Sequence, residues 1–450
     1  MERNLASALN RRQFIRQAAC AAVGTAALTS AVRDLRFMNA AVAQSNITDY
    51  KALVCIFLAG GNDSNNLVIP TIPSEYNNYA AIRTPVLAIP QANILKLALD
   101  DTVSPAVDYT PLNFDGHNYG LHPCCSQLRT LFGQGKLAIL FNTGTLVYPL
   151  TRALYLSSPA KRPAQLFSHA DQVTQWQTSI PDQPALTGWG GRCADLLDAV
   201  QPGTPVSLSV TLAGANTFEV GNVVSQYSVS TSGAISLQGV TGARLTALTN
   251  ILGLSYPNLQ AQTYASVASH AISTGSLLNS AIAATADPSG TQQFWATPFP
   301  GSSPFQVITP TSSVKFNSSL GPQLKMIARL IEAGHRTADN GGFGMKRQIF
   351  FCQVGGFDLH SGQTDQPAGG SVLNGSHANL LAELSQCLNA FQSAMDQIGT
   401  LHGDSTFAQR VTAFTCSDFG RTFPGNGQGS DHGWGSHHLI LGGAVQGRKT

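Results

Sequence analysis

The sequence predicts an α/β fold, with a mostly parallel central sheet flanked by helices and a β-rich insertion. Three observations predict it. Short, β-rich apolar runs recur along the chain, most of them nearly continuously apolar, as in strands buried on both faces. Segments with apolar residues at helix spacing lie between those runs. Carboxylate and imidazole side chains gather beside the runs, where open parallel sheets hold their ligands.

The strands are Ala52–Leu58 (ALVCIFL), Leu137–Phe141 (LAILF), Gln348–Val354 (QIFFCQV), Val411–Thr415 (VTAFT) and Leu439–Leu441 (LIL). Helices are expected over Cys124–Phe132, Gly190–Val200, Leu245–Leu252, Leu320–Ala333 and Ala378–Ile398. The last of these reads ANLLAELSQCLNAFQSAMDQI, apolar at helical intervals throughout. Residues 203–242 are rich in Ser, Val and Gly, alternate in the manner of strands and lack a helical period. They are read as a β-rich insertion beside the core. Residues 285–318, rich in Pro, Ser and Thr, are read as a loop or lid, so the insertion as a whole covers about 203–318.

The N-terminus has a different character. Arg11-Arg12 precede Phe14 in NRRQFIRQ, a soft apolar stretch follows from Ala18 to Val32, and Ala41-Val42-Ala43 offers a small-x-small cleavage site. This resembles a twin-arginine export signal over residues 1–43. The apolar stretch falls short of the roughly 20 residues that span a bilayer. The expected partner is therefore the twin-arginine export machinery, the destination periplasmic or secreted, and no transmembrane anchor is expected. The signal carries six Arg and two acids, which leaves 20 basic and 22 acidic residues in residues 44–450. With no basic run and no Arg–aromatic interleaving, nucleic acid is not an expected partner. Seven cysteines remain beyond the signal and none forms a CxxC pair. Several sit in apolar runs, where Cys acts as a small hydrophobe.

Four chain segments bring ionisable groups to the strand ends. Asp63 follows the first strand in AGGNDSNN; Asp358 and His360 follow the third in GGFDLHSGQ. Asp418 and Arg421 follow the fourth in CSDFGRT. Asp431, His432, His437 and His438 precede the last in SDHGWGSHHLIL. A lone Asp after a strand is ordinarily a turn or cap residue, and an Asp-His pair alone suits a turn. Four such segments together suit a mixed oxygen and nitrogen site for one or two divalent ions, Zn or Mn above all. Ser168, ahead of His169, Asp171 and Gln172 in FSHADQ, is a candidate nucleophile, with a helix cap as its competing role. Arg421, together with Asn62, Asn65 and Asn142, is a candidate contact for a substrate oxyanion.

The motifs FLAGGNDSNN, FSHADQVTQWQ, TGWGGR, GGFDLHSGQ, CSDFGRTFPGN and DHGWGSHHLILGGAVQG follow one another from about residue 50 to 447. In these the chain resembles the twin-arginine-exported bacterial family catalogued as domain of unknown function 1501, grouped with the alkaline-phosphatase-like superfamily of phosphatases and sulfatases. The resemblance implies an alkaline-phosphatase-like domain and, where active, a dinuclear metal site. Asp63 then resembles the metal-bridging acid, Asp358 and His360 the Asp/His pair on one metal, and His432 the last metal histidine. Asp418 matches the first half of an SDHG metal pair, with Phe419 standing where the histidine would be. Asp431 and His437 are left to replace that histidine or to orient the ligands, and His438 to begin the strand. The sulfatase motif is absent, since CCSQLR lacks its proline. The chain ends ten residues after Ile440, and a domain of this kind is expected to continue.

Two functions follow. One is an exported metal-dependent hydrolase of phosphate or sulfate esters, with a small-molecule or polymer substrate. The other is a non-catalytic exported binding or assembly protein that keeps the fold. A redox enzyme has little support, because no GxGxxG follows the first strand.

Overall fold

The computed structural model describes residues 47–450 apart from 114, 158–160, 199–200, 202, 236, 238 and 286–304. The twin-arginine segment and much of the loop expected at 285–318 lie outside the described residues. Ten α-helices surround an eight-stranded sheet within them. None of the helices is long and apolar enough to cross a membrane.

Strand β1 (Lys51–Leu58) lies at the centre of the sheet, between two parallel neighbours. Six of its eight side chains are buried, so both faces must be covered. On one side it pairs with Arg347–Val354, and that strand pairs in turn with Ser209–Thr211. On the other side it pairs with Val411–Ser417. The last strand, Ser436–Gly442, runs antiparallel to Val411–Ser417, and Leu137–Thr143 runs antiparallel to it at the sheet's edge. In chain order we label Leu137–Thr143 β2, Ser209–Thr211 β3, Tyr227–Ser230 β4, Gly233–Ala234 β5, Arg347–Val354 β6 and Val411–Ser417 β7. A hairpin outside the sheet forms β8 (Gly420–Gly425) and β9 (Ser430–Gly433), and Ser436–Gly442 is β10. The sheet order is then β5-β4-β3-β6-β1-β7-β10-β2.

The five apolar runs are thus the five longest strands of this sheet. Residues 203–242 also contribute to it, because β3, β4 and β5 extend the β6 edge of the sheet instead of standing as a separate layer. The amphipathic helices Leu320–His335 and Ser376–Leu401 pack on each other and bury long apolar rows, including Leu324, Ile327, Ile331, Leu381, Leu388 and Phe391. A second pair of helices, His169–Thr178 and Trp189–Asp198, packs together against β7 and β6.

Register brings the chemistry to one edge. Leu58 at the end of β1 lies opposite Val354 of β6 and Ser417 of β7, so three strands finish flush. Because β10 runs the other way, its first residues are at that same edge, with Ser436 paired to Thr143 at the end of β2. A segment before the last strand can therefore meet segments that follow the other strands. Glycine makes the loops fit: Gly60 has φ +116°, and a Cβ there would collide with the backbone of Phe357 and Asp358.

Candidate metal centre

Asp358 is the hub. It lies four residues beyond β6 in a loop held against the loop that follows β1, where Phe357 N–H donates to Ala59 O. Its carboxylate meets side chains from three other parts of the chain. The Nε2 atoms of His360 and His432 lie 3.1 and 3.2 Å from Oδ1, and that of His169 lies 3.4 Å from Oδ2. Arg421 Nη1 donates to Oδ1 at 3.0 Å. Burial pushes the Asp358 carboxyl up, but the hydrogen bond and the charge of Arg421 oppose it, and the group is held below the usual carboxylate range.

The opposite nitrogen of each ring is anchored. His169 Nδ1 is 2.7 Å from Asp418 Oδ2, His360 Nδ1 is 2.8 Å from Asp431 Oδ1, and His432 Nδ1 is 2.7 Å from the Phe167 carbonyl. A carbonyl or a carboxylate can only accept, so each Nδ1 is the donor and carries the proton. In the neutral rings Nε2 is then a bare lone pair, and all three Nε2 atoms face Asp358. Two of them, on His360 and His432, are only 2.9 Å apart. Two lone pairs at that distance repel, and either a proton or a cation between them removes the repulsion.

This donor set fits a divalent transition-metal ion. One atom each from His169, Asp358 and His432 lies within 4.8 Å of the others. Nitrogen and carboxylate oxygen suit Zn and Mn, and histidines fixed through Nδ1 by carboxylate or carbonyl are the usual support of metal ligands.

Local structure explains how the residues arrive. Asp418 directly follows β7 and is fixed by Gly60 N–H at 2.9 Å. The Asp431-His432 pair, which alone suits a turn, lies in strand β9, which pairs with β8 so that Arg421 lies opposite His432. His169 is the first residue of its helix, and Phe419 packs against both His169 and His432, with ring centroids 4.7 and 4.3 Å away. Where a further imidazole was sought at position 419, an aromatic ring thus forms one wall of the centre.

The remaining candidates divide. Arg421 has a side chain fully shielded from solvent, and its Nε and Nη2 have no hydrogen-bond partner among the described residues. Ser168 precedes the helix of His169, yet its hydroxyl makes no cap to the helix backbone and donates to Asp171 Oδ2 at 2.6 Å. Asp63 is at the same sheet edge but is buried and engaged by Arg83 and by Gln363. Burial works to raise its pKa, and the Arg83 charge overcomes that effect and lowers it. His437 points away: its Nδ1 accepts from Asn142 N–H at 3.2 Å and its ring packs 4.5 Å from Phe141. Burial lowers its pKa to about 4. His438 is buried against Trp176, and neither ring nitrogen has a partner among the described residues.

In sequence His169 stands out only as a neighbour of Ser168, although its ring joins the centre. The signal was an imidazole at a helix start in a segment rich in polar side chains, which also describes an ordinary cap. Arg83, the counter-ion of Asp63, gave no signal at all.

The family described as Protein of unknown function (DUF1501) matches residues 332–450. That region contains Asp358, His360, Asp418, Arg421, Asp431 and His432, whereas Asp63, Ser168 and His169 lie outside it. No curated protein and no solved structure matches the chain.

Proposed function

We propose that this chain binds one divalent transition-metal ion through His169, Asp358 and His432, with His360 beside them, and hydrolyses an anionic phosphate or sulfate ester there. The observation that carries the reading is the set of three rings, each anchored at Nδ1 and each turning Nε2 to one carboxylate. A bound divalent ion would supply Lewis acidity to the ester. Arg421 offers two unpartnered donor atoms from a side chain shielded from solvent, suited to charge that develops on the transferred group. Asp418 holds the His169 tautomer, and Asp431 that of His360. Ser168 is the nucleophile candidate, since its proton is already directed to the Asp171 carboxylate.

One ion is favoured over two. Asp63, the acid that would bridge a pair, already has Arg83 as its cation, and Phe419 offers no ligand atom. The same two features favour a second reading, a non-catalytic binding or assembly protein that keeps one ion. The twin-arginine pattern supports export to the periplasm or beyond under either reading.

Hydrolysis of 4-nitrophenyl phosphate and 4-nitrophenyl sulfate by metal-loaded protein separates the two. Turnover of either ester, lost with EDTA and in Asp358→Asn, supports the hydrolase. Stoichiometric metal with no turnover of any ester leaves the binding protein.

A further inference from the structure

Beside the metal centre lies a cavity of about 300 Å³ whose walls are almost wholly apolar. Leu146 and Leu150 from the loop after β2, Tyr155 from the short helix Arg152–Leu156, and Leu166, Phe167 and Trp434 line it. None of these six is fully buried, so the space opens to solvent and is no void of the core.

Two residues tie this cavity to the centre. Phe167 forms part of its wall, and the Phe167 carbonyl is the group that fixes His432 Nδ1 at 2.7 Å. Its φ of +72° is left-handed, a conformation that a bulky side chain rarely adopts. That twist lets one residue send its carbonyl to the ligand ring and its own ring to the cavity. Such strain at a bulky residue is characteristic of functional sites. Trp434 stands two residues after His432, its indole N–H donates to Thr145 O at 2.8 Å, and it packs on Gly144. The indole is thereby held as a rigid wall.

We propose that this cavity receives an aromatic or comparably apolar group of the substrate, so that the ester cleaved at the centre is that of an aryl or other apolar alcohol. The inference rests on the reading of the centre given above and adds the substrate class. A cavity of about 150 Å³ lined by aliphatic and aromatic side chains accommodates benzene, so twice that volume takes a substituted ring. With Phe167 common to both, a ring seated against Trp434 carries its ester group toward His432. Aromatic walls offer edge-to-face and stacked contacts in addition to burial of apolar area.

Three probes test it on the whole protein by calorimetry. Phenylphosphonate and methylphosphonate present the same anion with and without a ring, and phenol presents the ring alone. Metal-loaded protein is expected to bind phenylphosphonate about tenfold or more tightly than methylphosphonate, from the apolar area buried. EDTA-treated protein is expected to retain phenol binding. Leu150→Asp and Leu166→Asp, each at a half-buried wall position, are expected to abolish the phenyl advantage and phenol binding while metal content and methylphosphonate affinity stay unchanged. Equal affinity for the two phosphonates with no phenol binding overturns the cavity's role, whatever the centre does. Phenol binding that persists while neither phosphonate shows metal-dependent binding leaves the cavity in place and removes the anionic-ester reading. Phenol binding unaffected by both wall substitutions also overturns the proposal, because the ring would then be bound elsewhere.

Discussion

His169 Nδ1 lies 2.7 Å from Asp418 Oδ2, across 249 residues of chain. The other oxygen of that carboxylate accepts from Gly60 N–H at 2.9 Å, so Asp418 has one oxygen for the ring and one for the β1 loop. It decides which ring nitrogen keeps the proton. Asp418→Asn has a single acceptor oxygen for two donors. With the amide nitrogen turned to His169, Nδ1 must become the acceptor and Nε2 takes the proton, which disables it as a ligand. The expected result is roughly a 10–100-fold loss of metal affinity with the fold intact, read by competition with a chromophoric chelator. Unchanged affinity would remove Asp418 from the support of the centre.

Arg83 and Asp63 form a buried pair, with side chains 0% and 2% exposed. Arg83 also donates to the carbonyls of Thr422 and Phe423, so it fastens the β1 loop to the β8 strand. Arg83→Met leaves a carboxylate buried without its cation. The expected loss is about 3–5 kcal/mol in urea unfolding. Adding Asp63→Asn should recover part of it, and no recovery would show that the loss comes from Arg83's carbonyl contacts.

Acid should weaken the fold in a defined window. Burial lowers the imidazole pKa to about 3 for His122 and His438 and to about 4 for His377 and His437, against an unfolded value near 6.5. Between those values the unfolded chain binds protons that the folded chain refuses, so stability rises with pH across the window. The stability is fully present above pH 6.5 and falls as the pH drops toward 4. The thermal midpoint of EDTA-treated protein is expected to be flat above pH 7 and to decline from 6.5 downward. EDTA removes the separate effect of proton-driven metal release. A midpoint independent of pH from 6.5 to 4 would contradict these assignments.

Export is expected to depend on the paired arginines. Arg11→Lys with Arg12→Lys should leave precursor in the cytoplasm, read by cell fractionation. Normal export of that double variant would show that the N-terminus works by another route.

The strands were legible because β1, β6, β7 and β10 are largely buried on both faces and read as apolar runs, and the edge strand β2 is apolar too, although Leu140 on its outer face is exposed. Flush strand ends then made Asp358, Asp418 and His432 legible as one edge. Direction was less visible: the runs of β2 and β10 look like those of β1, yet β10 pairs antiparallel to both its neighbours. The β8–β9 hairpin was hidden because its glycines and charges resemble a turn. His169 was hidden because its role depends on Asp418, far along the chain. Asp63 looked equivalent to Asp358 in sequence, and only the approach of Arg83 from the helix Pro73–Leu87 separates them.

The central claim is a metal centre built on His169, Asp358 and His432, and metal content tests it most directly. Protein purified with Zn and Mn available, then dialysed and analysed by inductively coupled plasma mass spectrometry, is expected to carry about one equivalent of ion. His432→Ala is expected to lower affinity at least about tenfold, while His438→Ala, altering a ring packed on Trp176, leaves it unchanged. Wild-type protein without bound metal would contradict the account, and loss of metal in His438→Ala but not in His432→Ala would contradict its choice of ligands.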